Sequence, residues 1–118
     1  MSRRTDRIAE LIRAELSELI LHRVKDPRVR LASVATVQVT GDLSRATIGV
    51  SVLGEEEDRE QVVEALSHAA GFLRSQLGRR LRLRVAPQLL FELDRGAEHS
   101  QRISDLLETL DVHNDDAP

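Results

Sequence analysis

The run of residues from 65 to 87 constrains the fold of this chain more than any other stretch of its sequence. Leucines at helical spacing continue through most of it, Gly71 interrupts it, and it contains no acidic residue. Because glycine costs about 1 kcal/mol relative to alanine within a straight helix, the pattern predicts two helices that meet in a kink at residues 69–71. The alternative is one straight helix in which Gly71 packs closely against a sheet.

Five arginines within eleven residues belong to this run, and they are Arg74, Arg79, Arg80, Arg82 and Arg84. Planar guanidinium groups fixed beside a helix junction suit phosphate, so the cluster indicates RNA rather than a small substrate. The alternative is that these arginines only pair with the acidic residues 55–64 on a solvated surface. Exposed ion pairs contribute only about 0–1 kcal/mol each, which is a weak reason for such a cluster.

The formal net charge of −3 conceals a polarised chain. Residues 1–30 carry eight basic and five acidic groups, and residues 71–95 carry six basic and two acidic groups. Residues 55–64, in contrast, carry six acidic groups and one arginine. The local charges therefore agree with nucleic-acid binding, although the net charge does not.

The composition indicates one ordinary domain and excludes several kinds of chemistry. The 118 residues are 41% hydrophobic, which is enough for a core, and no stretch is apolar enough to span a membrane, so we expect a cytoplasmic protein. The chain has no cysteine and only four scattered histidines, so we expect no metal site and no cofactor. Motifs of nucleotide-binding loops and hydrolases are absent, and the nearest acid–base group, Asp94 with Glu98 and His99, is typical of a solvated loop. We therefore expect no enzymatic activity.

Hydrophobic periodicity predicts the order α-β-β-α-α-β, an α+β domain with helices on one face of a three-stranded sheet. The first helix is expected to be capped by Thr5 or Asp6 and to end near Val24. Two strands in which apolar and polar residues alternate cover residues 35–39 and 46–52. Ala35, Val37 and Val39 are expected to lie on one side of the first strand. A hairpin over residues 40–44 joins the two strands, and the third strand covers residues 88–93.

Several short motifs follow one another along the chain, namely Lys25-Asp26-Pro27-Arg28, Asp42-Leu43 with Ala46, Ala69-x-Gly71 with Leu73-Arg74, and Arg82-Leu83-Arg84 with Pro87, Phe91 and Asp94. In their order and spacing, over residues 3–110, they resemble the ribosome-binding factor A family, whose members assist assembly of the small ribosomal subunit. The resemblance implies a KH-like fold of type II over residues 1–96, with the Ala69-x-Gly71 interhelical kink in place of the KH Gly-x-x-Gly loop. The C-terminal extension, residues 97–118, is expected to form a short helix and then a disordered acidic tail.

The resemblance also implies a function for the chain. It implies binding to free 30S subunits through 16S rRNA, near the 5′-terminal helix of that RNA, in support of late 30S maturation and 16S rRNA processing. It implies that the chain is a monomer and that it is associated with growth in the cold. Other assembly factors or a release GTPase are further partners that the resemblance leaves open. With no Gly-x-x-Gly loop, and with Phe72 and Phe91 both expected in the core, we expect recognition of folded RNA by charge and shape rather than by base stacking.

The expected RNA-binding residues are the five arginines of the cluster and a second patch of Lys25, Arg28 and Arg30. Alternatively, Asp26 and Arg28 only fasten the turn after the first helix. Ala69 and Gly71 are expected to set the shape of the kink, so that a β-branched residue at position 71 destabilises the fold. Two other functions stay open, a general module for structured RNA and a protein-interaction adaptor that uses the apolar face of the first helix.

Overall fold

The computed structural model describes residues 3–94, which form three α-helices, one short 3-10 helix and a three-stranded sheet. In chain order the elements are α1 (Arg3–Arg23), the 3-10 helix (Pro27–Leu31), β1 (Ala32–Val39), β2 (Arg45–Val52), α2 (Glu56–His68), α3 (Ala70–Arg80) and β3 (Gln88–Leu93). The predicted α+β class and the predicted order of helices and strands are confirmed. The expected domain boundary at residue 96 and the expected C-terminal extension, residues 97–118, lie outside the described residues.

The central strand of the sheet is β2, which pairs antiparallel with β1 and parallel with β3. Ile48 in the middle of β2 lies opposite Val37 on one side and Phe91 on the other. A parallel pair needs a long crossover connection, and α2 and α3 supply it between β2 and β3. The helices cover the face of the sheet on which alternate residues of β2 are buried, namely Ala46, Ile48, Val50 and Val52.

One side of α1 supplies a large part of the core. Ile12, Leu16 and Leu19 are completely buried against the sheet, so this side of the helix is not free to dock a partner. The end of the helix at Arg23 agrees with the prediction, but its beginning does not. Because α1 already begins at Arg3, Thr5 lies buried inside the first turn instead of capping it.

A β-bulge changes which residues of β1 face the core. The register of β1 against β2 shifts between Val34 and Thr36, where one extra residue is inserted. As a result Val34 is buried and Ala35 is exposed. The prediction that Ala35 shares one side with Val37 and Val39 is therefore wrong, since the bulge breaks the alternation on which it relied.

The two crossover helices meet at Ala69, whose φ and ψ are −86° and −2°. Its N–H group donates to the carbonyl of Ala65 at 3.1 Å, and its own carbonyl accepts from the Leu73 N–H group at 2.9 Å. Gly71 follows in the first turn of α3, where an added Cβ would meet no heavy atom within 4 Å. Close packing against the sheet is thus excluded as the reason for this glycine. Its surroundings also give no steric reason for the expected instability of a larger residue there.

Gly49 in the middle of β2 differs from Gly71, because close neighbours occupy the place where its Cβ would lie. A Cβ at this position would be 2.2 Å from the Thr36 hydroxyl oxygen and 3.2 Å from the Cβ of Asp94. The side chains of Thr36 in β1 and of Asp94, directly after β3, therefore close over Gly49 on the face of the sheet that the helices leave uncovered. No larger residue fits here unless both neighbours move.

These two glycines give a matched pair of variants. We expect Gly49→Ala to destabilise the fold by about 1–3 kcal/mol, the usual cost of overpacking. We expect Gly71→Ala to stabilise it by about 0.5–1 kcal/mol, because alanine restricts the unfolded chain and meets open space. Urea unfolding of both variants beside the parent chain measures the two changes. A destabilised Gly71→Ala variant would show that the junction needs glycine for a reason other than packing.

The hairpin between β1 and β2 is fastened by Asp42. Its carboxylate accepts hydrogen bonds from the hydroxyls of Thr40 and Ser44, both at 2.7 Å, and from the Ser44 N–H group at 3.0 Å. These bonds favour the charged form and lower the pKa of Asp42 from its usual 3.8 to about 2, with the Ser44 hydroxyl contributing most.

The pKa of Asp42 predicts a pH dependence of stability. Because the pKa is lower in the folded chain, the carboxylate stabilises the fold above about pH 4, and this contribution is lost as the pH falls towards 2. We therefore expect the stability difference between the parent chain and Asp42→Asn to shrink between pH 4 and pH 2. Thermal unfolding of both proteins at several pH values checks this, and parallel curves over that range would contradict it.

Candidate RNA-binding surface

The arginine cluster lies at the end of α3 and in the turn that follows it. Two backbone hydrogen bonds close the helix, from the Arg82 N–H to the Arg79 carbonyl at 3.3 Å and from the Leu83 N–H to the Gly78 carbonyl at 3.0 Å. This pair of bonds defines a Schellman ending, in which one residue adopts the left-handed conformation. That residue is Arg82, with φ of +52°.

Between this turn and the outer face of α3 lies an open depression of about 460 Å³. Three small residues of α3 contribute to it: Gly71, Ser75 and Gly78. Three arginines also line it, and they are Arg74, Arg79 and Arg84. Small residues flanked by guanidinium groups let an extended anionic chain approach the helix closely. The open shape and the arginine lining suit an RNA backbone better than a small enclosed substrate.

Arg74 fixes one wall of the depression. Its guanidinium donates two hydrogen bonds to the carbonyl of Ala86, from Nε at 3.1 Å and from Nη2 at 2.9 Å. The side chain thereby ties the segment before β3 to the outer face of α3. Arg74 is nevertheless exposed, so one edge of its guanidinium still faces solvent.

Arg80 has a different environment from the other arginines of the cluster. Its Nη1 lies 3.1 Å from a carboxylate oxygen of Glu15 and 3.1 Å from one of Glu18, both on α1, and its side chain is only 28% exposed. The hydrogen bond with Glu15, followed by that with Glu18, raises the pKa of Arg80. The structure thus places Arg80 as a link between α3 and α1, outside the depression.

The second predicted patch is also divided by the structure. Asp26 caps the 3-10 helix by accepting from the Arg28 N–H at 3.0 Å, and it accepts from the Arg28 guanidinium at 2.6–3.0 Å. The Arg28 side-chain bonds lower the pKa of Asp26 to about 2. Arg28 therefore fastens the turn, as the alternative interpretation had it. Lys25 and Arg30 are exposed and form no ion pair within residues 3–94.

Two features of the protein surface were not predicted from the sequence, namely the exposure of Phe72 and an arginine-lined hollow at the start of α1. Phe72 is 42% exposed instead of packing in the core, whereas Phe91 is 5% exposed as expected. The helical phase that buries Leu73 turns its neighbour Phe72 outward, and counting from the leucines would have shown this. Arg3, Arg4 and Arg7 line a hollow at the start of α1, and their three- and four-residue spacing was the available signal.

Other kinds of site are not formed by the described residues. Within residues 3–94 no group of three histidine, cysteine, aspartate or glutamate side chains is placed to hold a metal ion. In the same part of the chain, no helix has the length and apolar character that crossing a membrane requires.

Comparison with known proteins gives one consistent family. The family model described as ribosome-binding factor A matches residues 4–107. Ribosome-binding factor A of Synechococcus sp. (strain CC9605) is 48% identical over 111 residues, which cover 92% of this chain and 79% of the relative.

Solved structures agree with that match. The crystal structure of ribosome-binding factor A from Thermus thermophilus superposes with a TM-score of 0.69 at 32% identity, covering 78% of this chain and 98% of that one. A homology model of the T. thermophilus protein, fitted into a cryo-EM map of a 30S–RbfA complex, superposes with a TM-score of 0.62 at 34% identity. It covers 73% of this chain and 90% of that one. The chain belongs to the ribosome-binding factor A family.

Proposed function

We propose that this chain binds the free 30S ribosomal subunit through the basic surface at the end of α3. The observation that carries the proposal is the depression in which Arg74, Arg79 and Arg84 surround the small residues of α3. The relative fitted into a 30S–RbfA map supports the choice of the small subunit as the partner. The finer role follows the family expectation, namely late 30S maturation and 16S rRNA processing near the 5′-terminal helix of 16S rRNA.

The proposed binding uses phosphate contacts and shape. Arg79 and Arg84 are exposed and form no ion pair within the described residues, so their donors are available to phosphate oxygens. Gly71 and Ser75 leave space for the ribose-phosphate backbone against α3, whereas a Cβ at Gly78 would contact the Ala86 Cβ at 3.5 Å. Phosphate contacts position a protein on RNA but depend little on the base sequence. Specificity therefore has to come from the folded shape of the target. A partly assembled 30S subunit presents such a target.

We further infer that the domain is KH-like, of type II, with the junction at Ala69–Gly71 in place of the Gly-x-x-Gly loop. The order of helices and strands and the close approach of α2 and α3 at Ala69 support this. A KH domain clamps about four nucleotides through that loop, and a chain without it lacks the clamp. The exposed Phe72 adds one aromatic ring that a single unstacked base could use, but it does not form a stacking platform.

Sedimentation with ribosomal particles tests the proposed partner. We expect the chain to migrate with free 30S subunits, and not with 50S subunits or 70S ribosomes. If about four phosphates are neutralised, the logarithm of the affinity should fall with the logarithm of salt concentration at a slope of roughly −3 to −4. Absence of 30S binding at low salt, or equal binding to 50S subunits, would contradict the proposal.

Charge reversal tests the proposed surface. We expect Arg79→Glu with Arg84→Glu to weaken 30S binding by about 100-fold or more, since two charge-assisted contacts are lost and repulsion is added. Tm should change little, because both side chains are exposed.

The matched control is Lys25→Glu with Arg30→Glu, which changes the net charge equally at the second patch. We expect it to weaken binding less. An equal loss in the two double variants would mean that binding depends on net charge and not on this surface. Unfolding of the first variant would make Arg79 and Arg84 structural.

A further inference from the structure

Arg82 occupies the one position of the α3 ending that favours glycine. It follows the capping residue Leu81 in the Schellman motif, and its φ of +52° lies in the left-handed region. Glycine is the usual residue there because a side chain crowds the backbone in this conformation. The chain therefore closes α3 with a residue that makes the fold less stable than glycine would.

Leu43 and Gly54, the other residues with positive φ in the described part of the chain, both have an explanation within the fold. Leu43, with φ of +62°, packs its side chain against the hydrophobic core, and this burial offsets the backbone cost. Gly54 has no side chain to be strained. Arg82 is exposed, and its side chain forms no hydrogen bond or ion pair within residues 3–94. Within the described residues, therefore, no contact of the Arg82 side chain offsets the cost that this conformation has for a residue other than glycine.

Stabilisation of the helix end does not account for Arg82 either. A cation near the C-terminus of a helix interacts favourably with the helix dipole, but Arg79 and Arg80 already occupy the last turn of α3. Residues held in sparsely populated backbone conformations cluster at active sites and ligand-binding positions. The turn also restricts Arg82 from both sides, since the N–H groups of Arg82 and Leu83 are both bonded back to α3.

We infer that Arg82 is held in the left-handed conformation because this sets the direction in which its side chain leaves the turn, next to Leu83 and Arg84 of the depression, for contact with an RNA phosphate of the 30S subunit. The inference rests on the proposed function and adds to it a positioning role for the backbone. Because the turn fixes the backbone at Arg82, this residue loses less backbone freedom on binding than an arginine in a flexible loop. The fold is thus less stable with Arg82 than it would be with glycine, and the inferred gain is tighter binding to RNA.

Three substitutions of Arg82 separate stability from binding. We expect Arg82→Gly to raise Tm by on the order of 4 °C, because the backbone cost disappears. We expect the same variant to bind 30S subunits about ten-fold more weakly and to lower the magnitude of the salt slope by about one. Arg82→Asn, which tolerates positive φ but carries no charge, should change both quantities in the same directions, with a smaller rise in Tm. Arg82→Lys keeps both the charge and the backbone cost, so its Tm should match that of the parent, with weaker binding than the parent but tighter binding than Arg82→Gly.

Two results would overturn the inference while leaving the proposed function intact. One is an Arg82→Gly variant that binds 30S subunits as tightly as the parent, since the strained arginine would then serve no contact. The other is a fall in Tm for Arg82→Gly, since Arg82 would then stabilise the helix end. If the parent chain itself does not bind 30S subunits, the proposed function fails first and the inference fails with it.

Discussion

The rotation of α3 about its own axis is the constraint on which the candidate surface depends. Leu73 and Leu77 are completely buried, and because they stand four residues apart they fix which side of the helix faces the sheet. The helix α3 lies on the sheet because it belongs to the crossover connection that the parallel pairing of β2 and β3 requires. With the two leucines inward, Arg79 faces outward and Arg74 lies at the exposed flank of the buried side. Core packing, and not any interaction among the arginines, therefore places the basic surface.

The arginines of the chain perform two separate tasks. Arg80 links α3 to Glu15 and Glu18 of α1, and Arg28 fastens the turn around Asp26. Arg79, Arg82 and Arg84 lie in the same stretch of sequence as Arg80. In the described part of the chain, however, their side chains form no ion pair. Arg74 belongs partly to both groups, since it holds the Ala86 carbonyl while lining the depression. Arg74 thus holds one wall of the depression in place, whereas the other arginines that line it keep their donors available for phosphate.

The periodicity of the sequence was sufficient to predict the helices, the strands and their order, because burial of apolar residues decides these. It could not reveal the bulge at Val34–Thr36, since an inserted residue leaves the composition of a strand unchanged. The partners of Arg80 were also out of reach, because Glu15 and Glu18 are distant in the sequence and meet it only through the packing of α1 on α3. The left-handed Arg82 has no sequence signal either, since glycine or asparagine would be the expected residue there. Prediction thus succeeded for the elements that the hydrophobic pattern decides, although it missed the outward position of Phe72, and it failed where one backbone conformation or one long-range pair decides.

The polarity of charge along the chain also follows from the helices. The acidic residues of the 55–64 stretch begin at the N-terminal end of α2, where the helix dipole favours negative charge and Asp58 accepts from the Glu55 N–H at 3.1 Å. The arginines lie at the C-terminal end of α3, where it favours positive charge. Because α2 and α3 follow one another at Ala69, the acidic and basic groups lie at the two opposite ends of this pair of consecutive helices. The charge that suits each helix end therefore places acidic residues at the start of α2 and arginines at the end of α3, so a chain of net negative charge can still carry a locally basic surface.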